Sequence, residues 1–329
     1  MKILVAKYGA LGDVLRTSYF IDPLLKNGFE LDWITSPSSV EILRPYMDRI
    51  CVITRASDVS DSKYSIVYSL DDEEAVINQI AKVPTEKTVG FYLNRDNLIS
   101  YTDDTALWND MGMRSKYGKQ KADLLKKANR FTHIEIFKRI FSVDQVVPRH
   151  PYGVDCASSI RSNKFSRNIG FNCFAGSRWP SKSIQVSEYE KLIKMVIAEG
   201  IAKPGIKIFL YGEGEIQKFN LRIADEIKTD QILVVNSSGN IVEFFKMVSQ
   251  MDLMVTSDSL GLHVANSCSV PTVSFFTSTS PWEIDCIPKS FKILSTDSDF
   301  CSYRPDARNS SITAIRLMAA IKLFFGMEK

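Results

Sequence analysis

Short apolar runs alternate with longer helix-prone segments along nearly the whole chain, and this alternation occurs twice. Parallel strands need a long crossover between them, usually a helix, so such a pattern leads to a parallel sheet with helices on its faces. In the first run, strands are expected at Ile3–Ala6, Glu30–Ile34, Ile50–Ile53, Ser65–Ser69 and Lys87–Tyr92. Helices are expected over Val14–Lys26, Ser39–Leu43 and Asp72–Lys82, with one or two more in the polar stretch Thr102–Arg139. In the second run, strands are expected at Asn168–Asn172, Ile206–Tyr211, Ile232–Val235, Leu253–Thr256 and Thr272–Phe276. Helices are expected over Ser187–Glu199, Ile216–Ile227, Ile241–Gln250 (with Asn240 as cap), Gly261–Ser267 and Ile312–Phe325. Pro148–Ser166, irregular and rich in proline, glycine and serine, reads as the linker. The fold class is α/β, with two Rossmann-like halves.

Composition agrees and narrows the options. A chain of 329 residues exceeds what one hydrophobic core usually supports. It is 45% hydrophobic and 24% charged, as soluble globular proteins are. A net charge of +3 offers no bulk attraction for nucleic acid. The six cysteines are scattered and form no CxxC, so reduced thiols and a cytoplasmic setting are expected. No secretion-leader pattern and no apolar stretch of bilayer length is present.

Four strand ends carry residues suited to chemistry. The first strand runs into Tyr8-Gly9-Ala10-Leu11-Gly12-Asp13, which places an acid at or near a helix start. In open α/β sheets ligands bind at the carboxyl ends of strands, so Asp13 faces the expected reaction site. A helix cap explains Asp13 equally well. In the second half, Phe174-Ala175-Gly176-Ser177-Arg178-Trp179-Pro180-Ser181-Lys182 combines small residues, a hydroxyl and two cations, which suits a diphosphate. An ordinary basic surface loop is the plainer explanation. Gly212-Glu213-Gly214-Glu215 lets a ligand approach the backbone, and its carboxylates suit ribose hydroxyls; a plain turn explains it as well. Thr256-Ser257-Asp258-Ser259-Leu260-Gly261-Leu262-His263 opens a helix whose positive end suits a phosphate, with His263 as a further donor. Three such loops in one half and one acid loop in the other suggest a nucleotide donor on the second domain, with chemistry in the cleft between domains.

These motifs, in this order, resemble glycosyltransferase family 9, the ADP-heptose:lipopolysaccharide heptosyltransferases. The resembling segments are Tyr8–Thr17, Ala175–Lys182 and Asp258–Ala265, the last similar to a D-[ST]-x-x-x-H-x-A signature; Val270-Pro271 and Ser280–Ile284 also fit. The resemblance implies a GT-B architecture with residues 1–155 on the acceptor side and 165–311 binding the donor. A final helix over 312–329 would return to the first domain. It implies inverting, metal-independent transfer of a heptose from ADP-heptose to a cell-surface glycan precursor, with no cofactor beyond the nucleotide sugar. Asp13 matches the general base. Gly176, Ser177, Lys182, Asp258, Ser259, Gly261 and His263 match the donor site, with Glu215 on the ribose ahead of Glu213. Two departures stand out. Glycine follows the Asp-Ser pair one residue late, at Gly261, and Phe275-Phe276-Thr277-Ser278-Thr279 replaces the usual Leu-Phe-Gly-Pro-Thr. Cys268, Cys286 and Cys301 lack a fourth nearby partner, so no metal site is expected.

Gly12, Arg16 and Lys116 are the acceptor-side candidates. Lys116 lies in a basic run, Arg114 to Arg130, with Asp123 as its single acid. It would suit an anionic acceptor or the inner-membrane surface, although a solvated helix face is the commoner explanation. Asp103-Asp104 lacks the spacing of a metal-binding DxD motif, and Asp71-Asp72-Glu73-Glu74 reads as an acidic first helical turn. The partners expected are a nucleotide sugar and a glycan, glycolipid or small-molecule acceptor, and no nucleic acid. Two alternatives stand: the same fold with another nucleotide sugar or a small-molecule acceptor, or a non-catalytic nucleotide-sugar-binding protein. A nicotinamide oxidoreductase is disfavoured because no G-x-G-x-x-G follows the first strand.

Overall fold

Each run of alternation builds one six-stranded sheet in the computed structural model, and the sheets fall in two units, Met1–Pro151 and Tyr152–Lys329. The structure describes residues 1–59, 63–149, 151–152, 167–176, 179–199, 206–236, 240–285, 287, 289–304 and 306–326. Most of the expected linker lies outside the described residues.

The first unit contains β1 (Lys2–Ala6), β2 (Glu30–Ile34), β3 (Cys51–Ile53), β4 (Tyr64–Ser69), β5 (Thr85–Leu93) and β6 (Ile99–Tyr101), in the order β3-β2-β1-β4-β5-β6. The first five strands are parallel, and β6 returns antiparallel to β5. In β1, Ile3, Leu4, Val5 and Ala6 are all fully buried, as a strand covered on both faces requires. The unit's helices are α1 (Leu11–Ser18), α2 (Ile21–Lys26), α3 (Val40–Leu43), α4 (Glu74–Ile80), α5 (Ala106–Asn109), α6 (Gly118–Ala128) and α7 (His133–Phe141). The single helix expected over 14–26 is thus two. Pro23 sits in the first turn of α2, where its missing N–H is not needed. Phe20, between these helices, meets Phe141 at 5.1 Å and Phe137 at 6.1 Å. α7 begins with reciprocal capping: the Glu135 amide donates to the Thr132 hydroxyl, and the Thr132 amide to the Glu135 carboxylate.

The second unit contains β7 (Arg167–Asn172), β8 (Ile206–Gly212), β9 (Ile232–Asn236), β10 (Leu253–Ser257), β11 (Thr272–Phe276) and β12 (Phe291–Leu294). All are parallel, in the order β12-β11-β10-β7-β8-β9. Its helices are α8 (Val186–Ala198), α9 (Gly214–Ile227), α10 (Ile241–Val248), α11 (Leu260–Ser267) and α12 (Ala314–Gly326). The Asn240 side chain accepts from the Val242 and Glu243 amides, capping α10 as expected. The terminal helix α12, expected to pack on the first domain, lies in the core of the second. Leu317, Ile321 and Phe324 form an i, i+4, i+7 stripe buried with Tyr189, Leu192 and Ile193 of α8. The Glu188 carboxylate accepts from the Ala314 amide at 2.7 Å, anchoring its first turn.

Numbered within its own unit, each sheet runs 3-2-1-4-5-6, the Rossmann order. The chain direction of winding reverses between β1 and β4 in one unit and between β7 and β10 in the other. Ligand crevices form at such points, outside the carboxyl ends of the strands.

Candidate active site

In the first unit the turn after β1 occupies the reversal point. Ala10, not Asp13, is the N-cap of α1, and Asp13 is its third helical residue. The Asp13 carboxylate is partly exposed and accepts from the Arg16 guanidinium at 2.5 Å. Arg16 also lies 5.9 Å from the ring centre of Trp108 on α5. Trp108 in turn meets His133 and Phe137 of α7 edge-on, at 5.5 and 5.3 Å. The aromatic packing therefore holds the guanidinium that orients Asp13. Gly12 is buried in α1. A side chain on Gly9 would press to 3.4 Å from the Asp13 Cβ and 3.3 Å from Lys7, so the turn is packed closely around the acid.

A second carboxylate in this turn was not anticipated. Asp71, at the end of β4 and almost fully buried, accepts from the Tyr8 amide at 3.0 Å and the Gly9 amide at 2.7 Å. The Lys7 ammonium is 3.7 Å from the same oxygen. α4 begins only at Glu74, so Asp71 lies outside the helical turn to which the acidic run was assigned. Lys116 joins a separate cluster. Its amide donates to the Tyr101 oxygen, whose hydroxyl donates to Asp110 at 2.6 Å, and its ammonium stands 3.9 Å from Asp110. Burial, reinforced by that bond to Asp110, pushes the Tyr101 hydroxyl up to about 12.

In the second unit the loops after β7, β10 and β11 converge. Lys182 follows β7 in a short 3-10 turn, Pro180–Lys182, and its ammonium donates to Asp258 at 2.8 Å. Asp258 follows β10 and is 4% exposed. The same oxygen accepts from the Thr279 hydroxyl, which follows β11. Burial opposes ionisation of Asp258, but the charges of Lys182 and His263 and the bonds from Lys182 and Thr279 outweigh it, bringing the carboxyl down to about 2. His263 is itself buried in α11. Ser181 and Ser278 share a hydrogen bond of 2.7 Å, and the Thr277 hydroxyl donates to the Ser181 carbonyl at 2.8 Å. The stretch that departs from the family pattern thus clamps both Lys182 and Asp258.

Ser259 is the N-cap of α11. Its hydroxyl accepts from Ser257 at 3.0 Å and makes no cap bond, so the first helical amides, at Leu260 and Gly261, are not covered by that side chain. The late glycine has a packing cause: a Cβ on Gly261 would stand 2.6 Å from the Asn172 amide nitrogen at the end of β7. Gly176 is exposed with nothing within 4 Å of where its Cβ would be, and Ser177 and Arg178 lie outside the described residues. Glu213 is the N-cap of α9. Glu215 is exposed in the first turn and pairs with Lys218 at 2.7 Å, not with Lys182 or Asp258. β8 adjoins β7, so both glutamates stand at the same sheet edge as Lys182.

Cys173, Cys268 and Cys301 are buried and Cys51 is exposed; Cys156 and Cys286 lie outside the described residues. Among the described residues, no three His, Cys, Asp or Glu side chains group as metal ligands, and no helix is long and apolar enough to cross a membrane.

No curated protein matches the chain in sequence. Solved structures match its fold. E. coli heptosyltransferase WaaC with ADP aligns over 98% of this chain and 100% of its own, at TM-score 0.67 and 14% identity. WaaC with ADP-2-deoxy-2-fluoro heptose aligns over 100% of both chains, at TM-score 0.65 and 15% identity. A glycosyl transferase family 9 protein from Veillonella parvula aligns over 100% of this chain and 97% of its own, at TM-score 0.63 and 18% identity. The sequence model of glycosyltransferase family 9 (heptosyltransferase) matches residues 132–309, more than half of the chain, including the clamped Lys182–Asp258 pair and the His263 helix. The chain belongs to glycosyltransferase family 9 and is a glycosyltransferase.

Proposed function

We propose that this glycosyltransferase moves a heptose from ADP-heptose to a hydroxyl of a cell-surface glycan precursor, with inversion and without a metal ion. The observation that carries the donor half is the Lys182–Asp258 pair at the reversal point of the second sheet. A lysine ammonium has three donors, and Asp258 uses one of them. The other two suit the diphosphate oxygens, on which negative charge grows as the sugar leaves. The first amides of α11 add the positive end of a helix. Structures of WaaC with ADP and with a fluorinated ADP-heptose support this donor class.

Asp13 then acts as general base. It takes the proton of the acceptor hydroxyl as that oxygen forms a bond to the anomeric carbon, while the bond from that carbon to the diphosphate breaks and ADP departs. Arg16 orients the carboxylate. General-base assistance of this kind is worth about 100- to 10,000-fold. Another nucleotide sugar is the second reading, favoured by one observation: Thr277, Ser278 and Thr279 replace the usual family stretch and turn their hydroxyls inward.

Thermal shift tests the donor, since a ligand at about 100 times its dissociation constant stabilises by about 2.7 kcal/mol. ADP-heptose should raise the melting temperature, and stabilisation by a different nucleotide sugar alone would replace the donor assignment. Asp13→Ala should lose turnover while keeping donor-induced stabilisation. Undiminished turnover in that variant would remove Asp13 as the base.

A further inference from the structure

We propose that the outward face of α6 docks on an anionic membrane surface. The helix rests on the first unit by a narrow strip, with only Ala122 and Lys126 buried. On the opposite side Leu124 is 60% exposed, and Tyr117, just before the helix, is 54% exposed. These two are seven residues apart, so they share one line along the helix. The residues three and four positions from Leu124 are Gln120, Lys121, Lys127 and Ala128, and all four are exposed. An apolar centre is thus flanked by ammonium groups on both sides. Met113, in the turn before, is 52% exposed, and Lys119, Arg130 and Phe131 extend the same composition at the helix ends. The one acid of α6, Asp123, accepts from Lys126 at 3.2 Å.

Charge and shape select the occupant. Single exposed leucines are common, but an apolar line bordered by lysines is the pattern of a helix lying in a lipid interface. Lysine stems cover apolar surface while their heads reach lipid phosphates, and tyrosine settles at headgroup depth. An acidic glycan or nucleic acid would use the lysines but leave Leu124 and Met113 in water. At 11 residues the helix is about 16 Å long, enough to lie in the interface and too short to span it. Docking of this kind is independent of which donor the enzyme uses.

The test is co-sedimentation of the full chain with vesicles of phosphatidylcholine alone or mixed with phosphatidylglycerol. Binding is expected only to the anionic vesicles and should weaken with salt. Each lysine near such a surface is worth about fivefold, so Lys121→Ala/Lys127→Ala should lower partitioning about 25-fold. Leu124→Ser should lower it by roughly tenfold. All three side chains are exposed, so melting temperature and donor-induced stabilisation should be unchanged, which separates lost docking from lost folding. Absence of binding to anionic vesicles, equal binding to neutral ones, or full binding by the double-lysine variant would overturn the proposal. Lysine-dependent binding to heparin without vesicle binding would also overturn it, and would assign the face to acidic glycans instead.

Discussion

Replacing Lys182 with methionine removes the ammonium from Asp258 while keeping most of the side chain's length. The Asp258 carboxyl is depressed from 3.8 to about 2, with burial opposing the shift and Lys182 the largest of the effects producing it. A depression of that size corresponds to about 2–3 kcal/mol of folded-state stability. Asp258 is 4% exposed, so solvent screens this little. Without the ammonium the carboxylate stays buried with its charge poorly matched, and breaking such a pair from one side typically costs about 3–5 kcal/mol. Urea unfolding of wild type, Lys182→Met, Asp258→Asn and the double variant measures this directly. The double variant should be at least about 2 kcal/mol more stable than the sum of the singles implies. The sign with pH follows from the lowered folded-state value. Stability from Asp258 is fully present above about pH 4 and is lost as pH falls through about 2, and Lys182→Met should shrink that acid limb. Single effects that add within about 0.5 kcal/mol would refute the coupling, and so would an unchanged acid limb.

Asp71→Ala should cost about 2–4 kcal/mol, because it removes the shared acceptor of the Tyr8 and Gly9 amides; a loss below about 0.5 kcal/mol in urea unfolding would contradict that role. Gly261→Ala should destabilise by about 1–3 kcal/mol through crowding of Asn172, and Asn172→Ala in the same chain should recover most of it; no recovery would mean the crowding lies elsewhere. Asn240→Ala should cost about 1 kcal/mol by uncapping α10, with the change read in the melting temperature.

Much of the fold was legible because parallel strands buried on both faces are uninterrupted apolar runs. Lys2–Ala6 and Leu253–Ser257 are plain cases. The hairpin to β6 was missed because its turn signal is side-chain chemistry: Asn94 accepts from the Asp96 and Leu98 amides, and Asn97 adopts a φ of 57°. β12 was missed as a four-residue edge strand whose residues are only half-buried. The expectation that the terminal helix returns to the first domain came from the family resemblance, while the features that place α12 in the second unit's core, a stripe matched to α8 and the Glu188 contact, are tertiary. Within the candidate site, residues at the ends of β1, β7 and β10 were readable from strand-then-turn patterns. Asp71 and Thr279 were not, because each acts on a segment remote in sequence and neither carries a local signal. Asp71 was hidden further by the acidic run around it.

The clamp on Asp258 has a consequence for biosynthesis. Lys182 is 76 residues from Asp258, and Ser181 is 97 residues from Ser278. A ribosome adding about 5–20 residues per second takes roughly 5–20 seconds to cover that interval. Throughout it the loop after β7 exists without the hydroxyls and the carboxylate that lock it. The clamp around Lys182 is therefore completed late, when β11 joins its sheet, so a chain stalled before Thr277 would lack the hydroxyls that hold Ser181 and Asp258.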